Sequence, residues 1–483
     1  MPTEEQRSSS RAARLFGIKE PTENAAKLVK ILAVLFPSFA VSFQISTTFY
    51  MIFIAETLGG GDYVTGLTYV GILVVISLLS QTVLDYPTGA IGDWIGQRYV
   101  IASALICYSI AFWVTSQVTA TTPFPVFMAI YVLMGIGAAQ ESGAFQAWFD
   151  NNWKVAMPHD EDRKEYGVFW GRVGMVWQVS STLVLIPGSW LALVFTRAWV
   201  FQLQAVFSFG LALAVLRLVH DLPGVRDESE ERPSLREYGG ILKEGVRFLG
   251  SSRFVTFVIL GEVIMWSTGP VWWNLLLFPL YFTYLLTDVA VSSFRTIVFI
   301  PEAISQERSG IWSKRFEPKV WIPRFRFLQF SGFVFYVLLA LVTAVFPSAS
   351  DTSPVIPILD LPTDTLVPNA LIFLIFIFTS MFGGFAQILT QRIMIDVIPS
   401  KIRNSMYSLQ PTLIMLASAP LIALFGWLIP QYGFPLTFSI CSLVTLIGAL
   451  LVRKAFSYPI PKADEVRPAS QEEVIEIEEL DVT

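Results

Sequence analysis

Apolar stretches of about 20 residues, the length an α-helix needs to cross the hydrocarbon core of a bilayer, recur along the whole of this 483-residue chain. They fall near 31–56, 64–90, 99–118, 125–148, 168–194, 198–219, 254–280, 287–308, 327–346, 368–394, 405–429 and 434–456. The pattern predicts an all-α integral membrane protein with about twelve transmembrane helices. The segment at 287–308 is the least apolar, because it carries Asp288, Arg295 and Glu302. Composition agrees: 54% of residues are hydrophobic and only 15% are charged, against about 25% charged in soluble domains.

Several function classes are excluded at this level. A net charge of -5 without a basic stripe gives nucleic-acid binding no support. Cys107 and Cys441 both lie inside apolar segments, so neither a disulfide framework nor a metal site is expected. No Gly-x-x-x-x-Gly-Lys-Ser/Thr loop occurs, which argues against self-contained ATP-driven transport and leaves no cofactor implied. The polar opening, Met1 to Lys27, has no short apolar core or small-residue cleavage site of a signal peptide.

Lysine and arginine placement sets an orientation. With the N-terminus inside, basic residues fill every second loop: the N-terminal arm, Arg98, Lys154 to Lys164, Arg217 to Arg253, Arg308 to Arg326, Lys401 and Arg403, and Arg453 with Lys454. The intervening loops carry Arg197 alone, so the positive-inside rule holds with one exception. The expected organisation is a cytoplasmic N-terminal arm at 1–30, a six-helix bundle at 31–219, a charged cytoplasmic linker at 220–252, a second six-helix bundle at 253–456, and an acidic, disordered cytoplasmic tail at 457–483. The end of the linker, Leu242 to Leu249, has the pattern of a short helix lying on the membrane.

Between the second and third segments runs Asp85-Tyr-Pro-Thr-Gly-Ala-Ile-Gly-Asp-Trp-Ile-Gly-Gln-Arg98. It resembles the loop joining the second and third helices of the major facilitator superfamily, with Gly89, Ile91, Gly92, Asp93, Gly96 and Arg98 in order and Gln97 in place of one basic residue. The resemblance implies two pseudo-symmetric six-helix bundles that alternate access to a central site. It further implies that Asp93 docks at the start of the eleventh helix, where Arg403-Asn404-Ser405 look like a capped helix start, and that Arg98 reaches Asp150 at the end of the fourth. Gly89, Asp93, Gly96, Arg98, Asp150 and Arg403 are thus the expected conformational latch. The Ser142 to Asp150 and Asp396 to Ser405 runs resemble a prokaryotic branch of the same superfamily. Two departures concern drug–proton antiport: Tyr131 stands where such antiporters place an arginine, and Pro187-Gly188 reverses their Gly-Pro motif.

Polar groups inside the spans are the candidates for substrate and proton binding, since each is costly in lipid. Glu141, beside Gln140, reads as a proton-accepting or substrate-pairing carboxylate, or as a permanently protonated glutamate joining two helices. Asp288, Arg295 and Glu302 recur every seven residues and share one helical stripe, either lining a cavity or forming an internal charge pair. Glu262 has Trp266 and Trp273 on nearly the same face, an aromatic pocket with one acid, or an interfacial cluster. Gln44 with Thr47 and Thr48, and Gln387 with Thr390 and Gln391, form neutral faces that bind hydroxyl-rich solutes or join helices. His159 and His220 fall in loops and supply no membrane-embedded imidazole.

The function expected from these readings is a secondary active transporter, not an enzyme, in the cell membrane with both termini cytoplasmic. Its partners would be a small-molecule substrate, protons and the bilayer, and it would work as a monomer. The alternatives are a receptor or scaffold that kept the fold without transporting, and the membrane subunit of an ATP-driven exporter with a separate ATPase.

Overall fold

The computed structural model describes residues 16–18, 21–160, 164–225, 245–350, 352–399 and 403–462. The chain divides into two compact units, one of Met1–Glu231 with Thr287–Thr296, the other of Arg232–Leu286 with Ile297–Thr483. The boundary in the charged stretch and the whole acidic tail from residue 463 lie outside the described residues. Of the proposed surface helix at 242–249, residues 245–249 are described, and they are helical except for a turn start that follows at Gly250.

The first unit is built from α1 (Glu23–Gln44), α2 (Thr47–Leu58), α3 (Tyr63–Ile95), α4 (Gln97–Thr115), α5 (Phe124–Glu141), α6 (Ala144–Ala156), α7 (Lys164–Leu183), α8 (Leu185–Val194) and α9 (Arg197–Leu218). Starts are set by local chemistry: the side chains of Thr22, Asp62 and Thr196 accept hydrogen bonds from the first free amides of α1, α3 and α9. Pairs of these helices are single spans with a seam. The seam between α5 and α6 is at Ser142 and Gly143, where Gly143 takes φ 75°, a left-handed conformation that glycine adopts without strain. A ring cluster, with Phe149 stacked on Phe169 at 4.6 Å, packs α6 against α7.

Close backbone approach holds this unit together as much as apolar area does, because lipid tails give helices no hydrophobic reason to associate. A Cβ on Gly66 would stand 1.8 Å from the carbonyl oxygen of Ala55, so α3 lies directly against the backbone of α2. Gly66→Ala must therefore push the helices apart and is expected to destabilise by about 1–3 kcal/mol, read as a lower melting temperature of the purified protein. An unchanged melting temperature would show that the two helices do not meet there.

The second unit contains α10 (Arg253–Trp266), α11 (Thr268–Val271), a π-turn (Trp272–Leu276), α12 (Leu277–Leu285), α14 (Pro318–Leu328), α15 (Phe333–Val345), α16 (Leu366–Val397) and α17 (Arg403–Ala455). The helix α13 (Asp288–Trp312) begins in the first unit and ends in the second. Helix α10 runs along α17, and Gly261 and Gly448 lie so close that a Cβ on either would come within 2.7 Å of the other's carbonyl oxygen. Helix α17 is two spans, broken where Gly433 takes φ 75°. A two-residue antiparallel pairing, β1 (Val355–Ile356) with β2 (Leu361–Pro362), closes the loop before α16.

Among the described residues, ten stretches are long and apolar enough to cross a membrane. The longest, Leu409–Ala455, contains the break at Gly433, and α13, 25 residues long, is not among the ten. These elements are consistent with twelve spans. Three boundaries differ from the sequence expectation: the first helix begins at Glu23, not near 31; α3 runs to Ile95, so most of the Asp85–Arg98 stretch is helix instead of loop; and the ninth span begins at Pro318, not near 327, so Arg324 and Arg326 are helical residues instead of loop residues.

Candidate functional site

Two interrupted spans of the second unit meet around a buried ion pair. Helix α14 stops at Leu328, and the chain turns through Gln329, Phe330, Ser331 (φ 55°) and Gly332 before α15 begins. Irregular backbone at membrane depth needs internal partners, and here it has them. The Phe330 amide donates to the Thr379 carbonyl at 2.9 Å, the Gly332 amide to the Gln329 carbonyl at 3.0 Å, and Ser331 Oγ lies 2.8 Å from the Tyr336 hydroxyl and 3.1 Å from Thr268 Oγ1. Thr268 itself follows the break after α10.

One turn below this layer, Arg326 is wholly buried, with no exposed surface, and Glu262 is 3% exposed. Arg326 Nη2 stands 2.8 Å from Glu262 Oε2 and donates to Thr390 Oγ1 at 2.9 Å, while Nη1 donates to Gln329 Oε1 at 2.8 Å. Trp266, one helical turn after Glu262, donates from Nε1 to the same Oε2 at 3.0 Å. The arginine also sits over the Trp266 ring at 5.8 Å, within the range of cation–π attraction. The second carboxylate oxygen, Glu262 Oε1, is buried and has no hydrogen-bond partner.

Glu262 and Trp266 form one wall of a cavity of about 390 Å³, with Gln387, Thr390 and Gln391 of α16 opposite and Gln410 of α17 completing it. The cavity thus joins one carboxylate, which accepts hydrogen bonds, one indole, whose N–H is given to that carboxylate, and three side-chain amides, which both donate and accept. Such a set recognises hydroxyl groups on a solute without requiring that the solute be charged.

The structure brings Glu262 of α10 together with Gln387 and Gln391 of α16, and it adds Arg326 and Gln410, which sequence reasoning missed. The sequence offered a signal for the start of α14, since Pro318 sits at its first turn, where proline favours a helix start, but none for the inward turn of Arg326. Trp273 departs from the expected shared face, because the break after Trp266 and the π-turn at Trp272–Leu276 shift the helical register. Trp272 is buried in its place, and Trp273 is 46% exposed.

In the first unit, Glu141 ends α5 and accepts from the Tyr108 hydroxyl at a long 3.4 Å. Gln44 ends α1, half-buried. The buried polar contacts nearby involve other residues: Ser42 Oγ lies 2.7 Å from Ser208 Oγ, and Ser46 donates to Gln204 Oε1 at 2.6 Å. The stripe on α13 divides. Asp288 is taken up by Arg197, Arg295 is half-buried in the first unit, and the Glu302 side chain lies outside the described residues.

Arg197 explains its own exception to the positive-inside pattern. Its Nε and Nη2 reach the two carboxylate oxygens of Asp288 at 2.8 and 2.7 Å, and Nη1 reaches Glu56 Oε2 at 2.6 Å, a fork geometry that only arginine provides. Two carboxylates thus neutralise the cation. Arg197→Gln leaves both acids facing each other and is expected to destabilise by about 1–3 kcal/mol, measured by thermal unfolding; a variant as stable as the parent would show that solvent already screens the triad.

Of the expected latch, Gly96 ends α3 with φ 104°. Arg98 donates to Tyr99 Oη at 2.6 Å and lies 2.6 Å from His220 Nδ1, and Asp150 is half-buried midway along α6. Gly89, Asp93 and Arg403 are helical, and their side-chain surroundings lie outside the described residues.

Comparison with known proteins agrees with this architecture. The family model described as Major Facilitator Superfamily matches residues 31–359. No relative is found among curated protein sequences. Among solved structures, the nucleoside transporter NupG aligns with a TM-score of 0.62 and 13% identity, covering 90% of this chain and 100% of its own. The xylose transporter XylE from E. coli, in an inward-open conformation, aligns with a TM-score of 0.59 and 13% identity over 91% of this chain and 99% of its own. A bacterial homologue of the human lysosomal transporter Spinster gives 0.61 and 12% over 89% and 97%. At these identities the structures attest the fold, and the family match carries the rest: the chain belongs to the major facilitator superfamily and is a membrane-spanning secondary transporter.

Proposed function

We propose that this transporter carries a neutral, hydroxyl-bearing solute together with a proton, and that the cavity beside Glu262 and Arg326 is where both bind. The observation that carries the reading is the split role of the Glu262 carboxylate. Arg326 and Trp266 hold Oε2, while Oε1 is buried without a partner in a cavity-lining residue. In this reading Oε1 is the oxygen that gains and loses the coupling proton, and Arg326 keeps the carboxylate in place while it does so. The amides of Gln387, Gln391 and Gln410 supply the donors and acceptors for substrate hydroxyls, and the Trp266 indole offers a face for a ring.

Two structural neighbours support the solute class by their descriptions, a nucleoside transporter and a D-xylose–proton symporter. The alternation of basic loops with loops that, Arg197 apart, carry no Lys or Arg supports a cell-membrane protein with both termini cytoplasmic. We further propose that it works as a monomer, since each polar group of the cavity comes from a single unit of one chain. The latch residues Asp93, Arg98, Asp150 and Arg403 are proposed to set the balance between conformations, not to bind substrate.

The test is a thermal-shift screen of the purified protein against pentoses, hexoses, nucleosides, amino acids and organic anions, followed by uptake of hits into proteoliposomes with and without an inward proton gradient. A ligand that prefers the folded state raises apparent stability, by about 2.7 kcal/mol at 100 times its dissociation constant. Stabilisation by sugars or nucleosides with gradient-driven uptake is the expected result. Stabilisation by organic anions alone would overturn the neutral-solute reading.

A further inference from the structure

We propose that the groove between the start of α14 and the end of α17 binds the phosphate headgroup of an anionic membrane lipid. The groove encloses about 470 Å³, with Lys319 and Arg324 from α14 facing Arg453 from α17, and no carboxylate in its described lining. All three cations are exposed, and none takes part in an ion pair among the described residues. Neighbouring basic side chains are already engaged: Arg253 lies over the Tyr458 ring at 5.9 Å and Lys454 over the Phe257 ring at 4.7 Å. Arg324 stacks on the Trp321 ring at 5.0 Å, which fixes the guanidinium plane and leaves its edge to bind a phosphate.

The rest of the groove decides between a soluble phosphate and a lipid. Val320 is exposed and Phe327 half-buried along it, over buried Pro323 and Phe456, an apolar strip that a free phosphate ion would leave unused but that the glycerol backbone and first methylenes of a lipid would cover. The groove also lies where basic helix ends gather. Helices α10 and α14 start and α17 ends on this face, with Arg253, Lys319, Arg324, Arg453 and Lys454 gathered there, as the positive-inside rule requires of the cytoplasmic side. That leaflet carries the anionic lipids in many membranes. The groove shares no lining residue with the cavity beside Glu262, so the inference stands apart from the transport site.

The experiment uses the full chain purified in detergent with phosphatidylcholine, titrated with phosphatidylglycerol and read by native mass spectrometry and melting temperature. Phosphatidylglycerol should bind and stabilise. Each of Lys319→Gln, Arg324→Gln and Arg453→Gln should weaken it about fivefold and the triple variant on the order of 100-fold, with a matching loss at high salt. The single variants replace exposed side chains and keep the test valid if the triple variant does not fold. Equal phosphatidylglycerol affinity in the variants, equal binding of phosphatidylcholine, or equal stabilisation by soluble glycerol phosphate at the same concentration would each overturn the proposal.

Discussion

Arg326→Ala is expected to lower the stability of this protein by about 3–5 kcal/mol, the usual effect of removing one partner of a buried ion pair. Arg326 has no exposed surface and serves Glu262, Gln329 and Thr390 at once. Without it, the Glu262 carboxylate keeps only the Trp266 indole as a donor, in surroundings where lipid and apolar side chains cannot replace the lost charge. Gln329 would also lose the bond that holds it in the break between α14 and α15, so the damage extends to the neighbouring backbone turn. The distinguishing control is Arg326→Met combined with Glu262→Gln, which removes both charges and keeps the volume. The double variant should be more stable than Arg326→Ala in thermal unfolding of the purified protein. If it is no better, the pair is not what holds the two interrupted spans together.

Glu262→Gln should abolish accumulation driven by a proton gradient, a loss of at least about tenfold, while exchange of substrate across the membrane at equal concentrations continues. An amide keeps the size of the side chain and can still accept from Trp266 and Arg326, but it cannot bind and release a proton at neutral pH. The measurement compares gradient-driven uptake with counterflow in the same proteoliposomes. Uptake against a gradient equal to that of the parent would remove Glu262 from the coupling path. Loss of counterflow as well would make it a substrate-binding or structural residue. Glu141, with its long contact to Tyr108, is the natural comparison, and Glu141→Gln should have the smaller effect on coupling.

The spans were legible in the sequence because what makes them is local. A run of apolar residues long enough to cross a bilayer is visible within the run itself, and caps such as Asp62, Thr196 and Ser252 sit next to the amides they satisfy. Part of the candidate site was legible for a related reason: Glu262, Gln387 and Gln391 are conspicuous in apolar segments, since a polar group costs free energy anywhere in lipid and so must have a use. Arg326 was not. Its neighbours in sequence include Lys319 and Arg324, and a count of charge along the chain cannot separate the one arginine that turns inward from those that meet water. The same holds for Asp288, whose spacing from Arg295 and Glu302 pointed to a common stripe although its partner is Arg197, 91 positions away.

By itself, then, the amino-acid order determined the class of this protein: where the apolar segments lie, which loops are basic, and which family signature joins the second span to the third. The tertiary structure alone decided which charges pair and where the helices break. Both depend on contacts between residues far apart in the chain, such as Glu262 with Arg326 and Ser331 with Thr268. Such contacts are specified by packing geometry, which leaves no periodic trace in the sequence, whereas the bilayer acts on each segment separately and leaves one.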